Sequence, residues 1–330
     1  MSQTARLAGA LARIAPPDLV LLQTPPSVPA GPLAWAVARA RGARMVLDWH
    51  NLGWTILALK IGDTRSVAAL RAAERWLGGR ADAHLCVSRS LRDHLARTLG
   101  VDAAVVYDRP PSWFAPVDVS VRNAFRSRLF ASANLPPDGA VLIVSPTSWT
   151  ADEDLGLLVD TADRLEAMRA TMPGLPPMLM LVSGSGPGRA AFEARIARRP
   201  ADTRVRIATG WFEPGEYPTL LGSADAGVCL HRSSSGLDLP MKIADMFGVG
   251  LPVIALRYPA IAERISDGHT GLLFDDAPGL ATILAGLWNG GRPSAQHARL
   301  REGSASQGGD RWLEGWNREA APLLGLGTRT

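Results

Sequence analysis

The stretch AVLIVSPTSWTADEDLGLLVDTADRLEAMRATMPGLPPMLMLV, residues 140–182, decides the fold. It opens on an apolar run, AVLIVS (140–145), and passes through a helical pattern, DLGLLVDTADRLEAMRA (154–170). It closes on a second apolar run, MLMLV (178–182). Continuous apolar runs with a helix between them predict parallel strands buried on both faces. Downstream the same pattern continues with RVRIA (204–208), AGVCLH (226–231) and PVIAL (252–256). Upstream lies a separate series: DLVLLQ (18–23), RMVLD (44–48), AHLCV (83–87) and AAVVY (103–107). Two such series predict an α/β protein of two Rossmann-like, doubly wound domains.

The expected division is 1–134 and 135–330, with the link near 130–138, at the end of the Pro-rich, polar stretch 110–139. Residues 290–310 read as a loop, a weak helix and a loop, and a final helix over about 309–325 is expected to pack back on the first domain. The first half offers four strands and no glycine-rich strand-to-helix turn near its start. A first domain shortened at its N-terminus is therefore expected.

Composition narrows the class. Of 330 residues 47% are hydrophobic, enough for sizeable cores. No secretory signal pattern and no apolar run of bilayer-spanning length is present. The opening MSQTARLAGALARIAPP allows at most a short amphipathic helix, stopped by Pro16 and Pro17. Cys86 and Cys229 stand far apart in apolar runs and read as buried thiols of a reducing cytoplasm, with no metal spacing. The net charge of +4 is uneven: residues 1–130 hold 17 Lys and Arg against 9 Asp and Glu, and the remainder 18 against 22. A basic first half fits peripheral contact with an anionic membrane face or another anionic partner, or else a solvated basic surface. Nucleic acid is disfavoured, because no arginine-rich tract with interleaved aromatics occurs.

The chemistry concentrates in SSSGLDLPMKIADMFGVGLPVIA, residues 233–255. Pro240 suits a helix start. Lys242 then falls in the first turn, where the macrodipole disfavours a cation unless an anion accompanies it. Only Lys60 and Lys242 are lysines, against 33 arginines. Backbone N–H groups at a helix start plus one lysine suit a diphosphate. Asp245, three residues on, shares a face with Lys242 and suits ribose hydroxyls. The competing reading is a capped helix with an i,i+3 ion pair.

LHRSSSGLDLPMKIADMFGVGLPVIAL resembles the donor-site segment of GT-B glycosyltransferases, whose pattern is LPxKxxExMxxGxPV; Asp245 stands where that pattern has glutamate. Within that class the chain is similar to the β-mannosyltransferases of lipid-linked glycan assembly. Further stretches carry the likeness in order: LDWHNLGWTILAL (47–59), LCVSRSLRDHLA (85–96), VYDRPPSWF (106–114), VSPTSWTADEDLGLLVD (144–160), SGSGPGR (183–189) and GWFEPGEYPTLLGSADAGVCLHRSSSGLDLPMK (210–242). The resemblance implies two domains facing a cleft, GDP-mannose as donor, a polyprenyl-diphosphate-linked acceptor, inversion, and no metal or other cofactor. It places the enzyme in the cytoplasm, peripheral at the inner membrane face.

It also assigns candidate residues. Ser148 and Thr150 are expected to touch donor phosphate, and Gly184 and Gly186 to let the backbone approach the nucleotide. His231, Ser234, Ser235, Gly236, Leu239, Pro240, Met241, Lys242 and Asp245 complete the expected donor site. Asp152, Glu153 and Asp154 either bind sugar hydroxyls or favour a helix N-terminus, and Glu263 either turns toward the nucleotide or lies on a surface helix. An inverting transfer needs a base, for which DWHN offers His50 or Asp48. The alternative function is a non-catalytic nucleotide-sugar-binding partner protein. A dinucleotide oxidoreductase is disfavoured, because the first strand has no following G-x-G-x-x-G turn.

Overall fold

In the computed structural model, which describes residues 3–150 and 152–327, every apolar run named above contains a strand. The chain forms two compact units: residues 3–108, 233–239 and 313–327, and residues 109–232 and 240–312.

In the first unit the strands are β1 (Leu19–Thr24), β2 (Arg44–Trp49), β3 (Ala83–Cys86) and β4 (Ala104–Val105). They form one parallel sheet in the order β1-β2-β3-β4. Its helices are α1 (Gln3–Arg13), α2 (Ala30–Arg41), α3 (Gly53–Ile61), α4 (Arg65–Gly78) and α5 (Arg89–Leu99). Alternation along β2 explains the layering. Met45, Leu47 and Trp49 pack with Ala34 and Ala38 of α2, Leu77 of α4 and Leu91 and Leu95 of α5. Val46 faces the other way, onto Ala320, Leu324 and Trp316 of the C-terminal helical turns. Strand β1 is an edge, and its Leu21 is 41% exposed.

The second unit holds β5 (Val141–Pro146), β6 (Met178–Ser183), β7 (Val205–Gly210), β8 (Ala226–Cys229), β9 (Val253–Leu256) and β10 (Gly271–Phe274). All pair in parallel, in the order β10-β9-β8-β5-β6-β7. Every residue of β5, β6, β8, β9 and β10 is buried, as expected of strands covered on both faces. The helices are α6 (Val119–Ser132), α7 (Gly156–Met168), α8 (Arg189–Ile196), α9 (Tyr217–Ser223), α10 (Met241–Gly248), α11 (Ala277–Gly286) and α12 (Ala295–Gln307). Ile143 of β5 packs with Leu158 and Leu165 of α7 and Leu280 and Leu284 of α11. Both cysteines are buried, and neither is in a disulfide. Burial pushes the Cys229 thiol up to about 11.

Two features differ from the pattern reading. The Pro-rich stretch 110–139 contains helix α6, and β10 is a strand that four apolar residues were too few to announce. Helix α6 is held to the second sheet by charge. Arg122 and Arg126 both bond the Asp225 carboxylate at 2.8 Å, and Arg126 also donates to the Ala140 carbonyl at 2.9 Å. Asp225 in turn accepts the Leu142 N–H at 2.8 Å. The units accordingly divide between Asp108 and Arg109; the division expected at 134/135 lies further along, just past α6. Among the described residues no helix is long and apolar enough to cross a membrane.

Candidate active site

Strand order dictates where the second unit can bind a ligand. Its sheet reverses direction between β5 and β8, so the connections leaving those two strands diverge. A crevice opens beyond their carboxyl ends. A pocket of about 590 Å³ lies there. The turn after β5 supplies Pro146, Thr147, Ser148, Asp152 and Glu153, and the end of β6 supplies Ser183 and Gly184. Trp211, Phe212, Pro214 and Tyr217 line it from the segment after β7, and His231 from the segment after β8. The start of α10 completes it with Pro240, Met241, Lys242 and Asp245.

The turn after β5 is tightly built. Thr147 Oγ1 donates to Glu153 Oε2 at 2.6 Å, and the same oxygen accepts the Ser148 N–H at 2.9 Å. Trp149, buried, has φ +58°, a conformation rare for a bulky side chain. Against this turn lies Gly184, with φ +145°; a Cβ there would sit 1.9 Å from the Thr147 carbonyl oxygen. A Cβ on Gly186 would sit 2.2 Å from the Ser148 carbonyl oxygen. Both glycines were expected to admit a nucleotide. What approaches them closely is the chain's own backbone.

Lys242 lies in the first turn of α10, and Pro240 stands just before that helix in extended conformation. The anion that accompanies Lys242 is within the chain: its ammonium pairs with Glu153 and donates to the Pro146 carbonyl at 3.0 Å. A lysine at a positive helix end therefore has an internal explanation, and its position alone does not require a ligand. Other observations point to one. Ser183 lines the pocket, and its buried Oγ has no hydrogen-bond partner within the chain; Ser145 Oγ and Trp149 Nε1, outside the lining, have none either. Buried polar atoms of this kind are rare unless something else meets them. Trp211, 57% exposed, presents an open aromatic face at the same pocket.

Three acids after β5 have distinct duties. Asp152 Oδ2 lies 3.2 Å from His231 Nδ1, and that hydrogen bond, opposed by burial, holds its carboxyl well below the usual range. His231 also meets the Tyr258 ring edge-on. Glu153 is committed as described above. Asp154 caps the start of α7 by accepting the Gly156 N–H at 3.0 Å. Tyr217, buried in the wall, has its phenol pushed above the usual range by burial first and Asp245 second.

The first unit carries the other candidates. Asp48 and His50 are two apart at the end of β2, so they project to one side, and His50 Nε2 lies 3.0 Å from Asp48 Oδ2. Burial lowers the His50 pKa, but the Asp48 hydrogen bond and charge, with Asp108 and Asp238 behind them, carry it net upward.

Of the expected donor residues, Ser148, Gly184, His231, Pro240, Met241, Lys242 and Asp245 share the pocket. Thr150 Oγ1 lies 2.9 Å from Ser148 Oγ, and Thr150 is exposed and does not line the pocket. Ser234, Ser235, Gly236 and Leu239 belong to the first unit and do not line the pocket. Ser234 Oγ meets Asn51 Nδ2 at 3.2 Å and Thr55 Oγ1 at 2.8 Å; Ser235 Oγ accepts the Leu237 N–H. Glu263 ends a short turn, Pro259–Glu263, outside the lining. Pattern reading passed over Thr147, Ser183 and Trp211. The signal available for them was their place just past strand ends. Among the described residues no three His, Cys, Asp or Glu side chains gather to hold a metal ion.

Two parallel-sheet, Rossmann-like units, the second doubly wound with a crevice at its switch point and the first running in one direction only, define a GT-B glycosyltransferase. Residues 1–107 match the glycosyl transferase 4-like domain and residues 141–289 the glycosyl transferases group 1 domain. The chitobiosyldiphosphodolichol beta-mannosyltransferase of Mus musculus is 35% identical, across 94% of this chain and 71% of the mouse protein. Its namesake in Arthroderma benhamiae is 38% identical, across 96% and 73%. The Arabidopsis thaliana UDP-glycosyltransferase TURAN is 36% identical, across 94% and 77%. Anabaena HepE, solved with UDP and glucose, matches in fold with a TM-score of 0.71 at 14% identity, across 94% of this chain and 77% of HepE. The chain belongs to the chitobiosyldiphosphodolichol beta-mannosyltransferase family.

Proposed function

We propose that this enzyme transfers mannose from GDP-mannose, with inversion, to a sugar carried on a polyprenyl diphosphate. The observation that carries the reading is the pocket at the β5/β8 switch point, walled by the helix start that bears Lys242. The names of the mouse and fungal relatives supply the sugar and the lipid-linked acceptor. The donor diphosphate lies against the first N–H groups of α10 and the Lys242 ammonium, with the base against Trp211 and a donor hydroxyl on Ser183.

The acceptor hydroxyl gives its proton to His50 Nδ1, while His50 Nε2–H donates to Asp48. The oxygen attacks the anomeric carbon, and the bond from that carbon to the diphosphate oxygen breaks on the opposite face. Its electron pair leaves on GDP, where Lys242 and the helix start stabilise the charge. No metal enters this scheme.

Peripheral attachment at the inner, cytoplasmic membrane face follows from the acceptor's lipid. The basic excess of residues 1–130 supports it, as do Leu59 and Ile61, 58% and 47% exposed on either side of Lys60. The test is to incubate the purified protein with a lipid-linked chitobiose acceptor and a panel of nucleotide sugars. Consumption of GDP-mannose with a β-linked product is expected. Consumption of a UDP-sugar instead, as the name of the Arabidopsis relative suggests for that protein, overturns the donor assignment.

A further inference from the structure

The Glu153 side chain is 1% exposed, and its oxygens are taken by donors of the chain. Oε2 accepts from the Thr147 hydroxyl and the Ser148 N–H, and Oε1 accepts from Lys242. One buried carboxylate therefore ties the turn after β5 to the start of α10, 89 residues further along. Lys242 has three N–H donors, of which two go to Glu153 and the Pro146 carbonyl. The third is left for a ligand in the pocket that Lys242 lines. A free lysine carries considerable rotamer entropy, which a ligand must remove on binding. Here that ordering is done on folding.

We infer that Glu153 is the positioning residue of the donor site, holding the Lys242 ammonium and the turn at Thr147 and Ser148 in one fixed arrangement. This rests on the donor reading above. It has a consequence that a simple binding role lacks. The Lys242–Glu153 pair is neutral, so the carboxylate weakens the attraction of Lys242 for a resting diphosphate while aiming its N–H at the leaving group. Removing the charge of Glu153 should spare or tighten GDP binding and lower turnover.

The sequence makes the test direct, because Lys60 and Lys242 are its only lysines. Protein labelled with [ε-13C]lysine gives two signals, assigned with Lys60→Arg. Glu153→Gln should move the Lys242 signal in ligand-free protein, lower kcat at least about tenfold, and leave the GDP Kd unchanged or tighter. Asp160→Asn, an exposed acid of α7 removed as a charge control, should leave all three in place. A Lys242 signal at its wild-type position in Glu153→Gln overturns the inference, as does an equal response to Asp160→Asn or a weaker GDP Kd. If Glu153→Gln does not fold, Glu153→Asp keeps the charge but shortens the reach, and the same shift and loss are expected. The donor reading is scored separately: GDP added to wild-type protein must move the Lys242 signal. If it does not, the donor reading fails whatever Glu153→Gln does.

Discussion

The first sheet runs β1-β2-β3-β4 without reversing, whereas the second runs β10-β9-β8-β5-β6-β7 and reverses between β5 and β8. The chemistry of the two units follows this difference. Where the order reverses, two loops part and leave a pocket of about 590 Å³ that draws residues from five segments of chain. Without a reversal, the first sheet offers its reactive groups locally, as the Asp48–His50 pair two residues apart past one strand end. The two arrangements should therefore fail differently: the pocket by losing long-range fit, the pair by losing its proton affinity.

The largest effect should come from Gly184→Ala. Its φ of +145° and the Thr147 carbonyl 1.9 Å from any added Cβ leave the turn after β5 no room. A loss of about 3 kcal/mol in urea unfolding is expected, from left-handed backbone strain and overpacking together. A loss below about 1 kcal/mol would show that the turn relaxes and that the pocket is less tightly built than the sheet order implies.

Next comes Lys242→Ala, expected to cut kcat roughly a hundredfold if its N–H stabilises the leaving diphosphate as a single strong donor does. An unchanged kcat in the folded variant would remove the second unit's claim to the chemistry.

Asp48→Asn should act more modestly, about tenfold on kcat, with a diagnostic change in pH profile. Asp48 favours protonated His50 and raises its pKa, and the base works only when neutral. Without that charge the acid limb of the profile moves to lower pH. If it stays in place, His50 is not the base.

The smallest effect belongs to Glu74→Gln. Glu74 is buried, its Oε1 accepts from Ser27 Oγ at 2.7 Å and Gly53 N at 2.9 Å, and its Oε2 has no partner in the chain. Burial raises its pKa against these hydrogen bonds. A carboxyl raised on folding favours the folded state only while protonated. That contribution is full below the unfolded pKa and is lost as pH rises through the folded value. Gln keeps the Oε1 contacts without a charge, so the variant should gain on wild type across that window, by less than about 1 kcal/mol at pH 7. A variant less stable than wild type at pH 7 would mean that the ionised carboxylate is required to hold the start of α3.

Local patterns in the chain were enough for strands β1 to β9, the two-series α/β plan and the place of Lys242 and Asp245 at one helix start. Each of these is local: an apolar run, a helical period, or a residue type at a helix start. Short or masked signals were lost, as with the four residues of β10 and helix α6 among its prolines. Tertiary structure alone decided which groups meet. It gave Lys242 its carboxylate in Glu153, set Gly184 against the Thr147 carbonyl, drew Ser234 to Asn51 and Thr55, and anchored α6 through Asp225. The reason is that a strand's burial follows from its own side chains. The partner of a buried charge, or the backbone that crowds a glycine, depends on how distant segments close around it, and no local period records that.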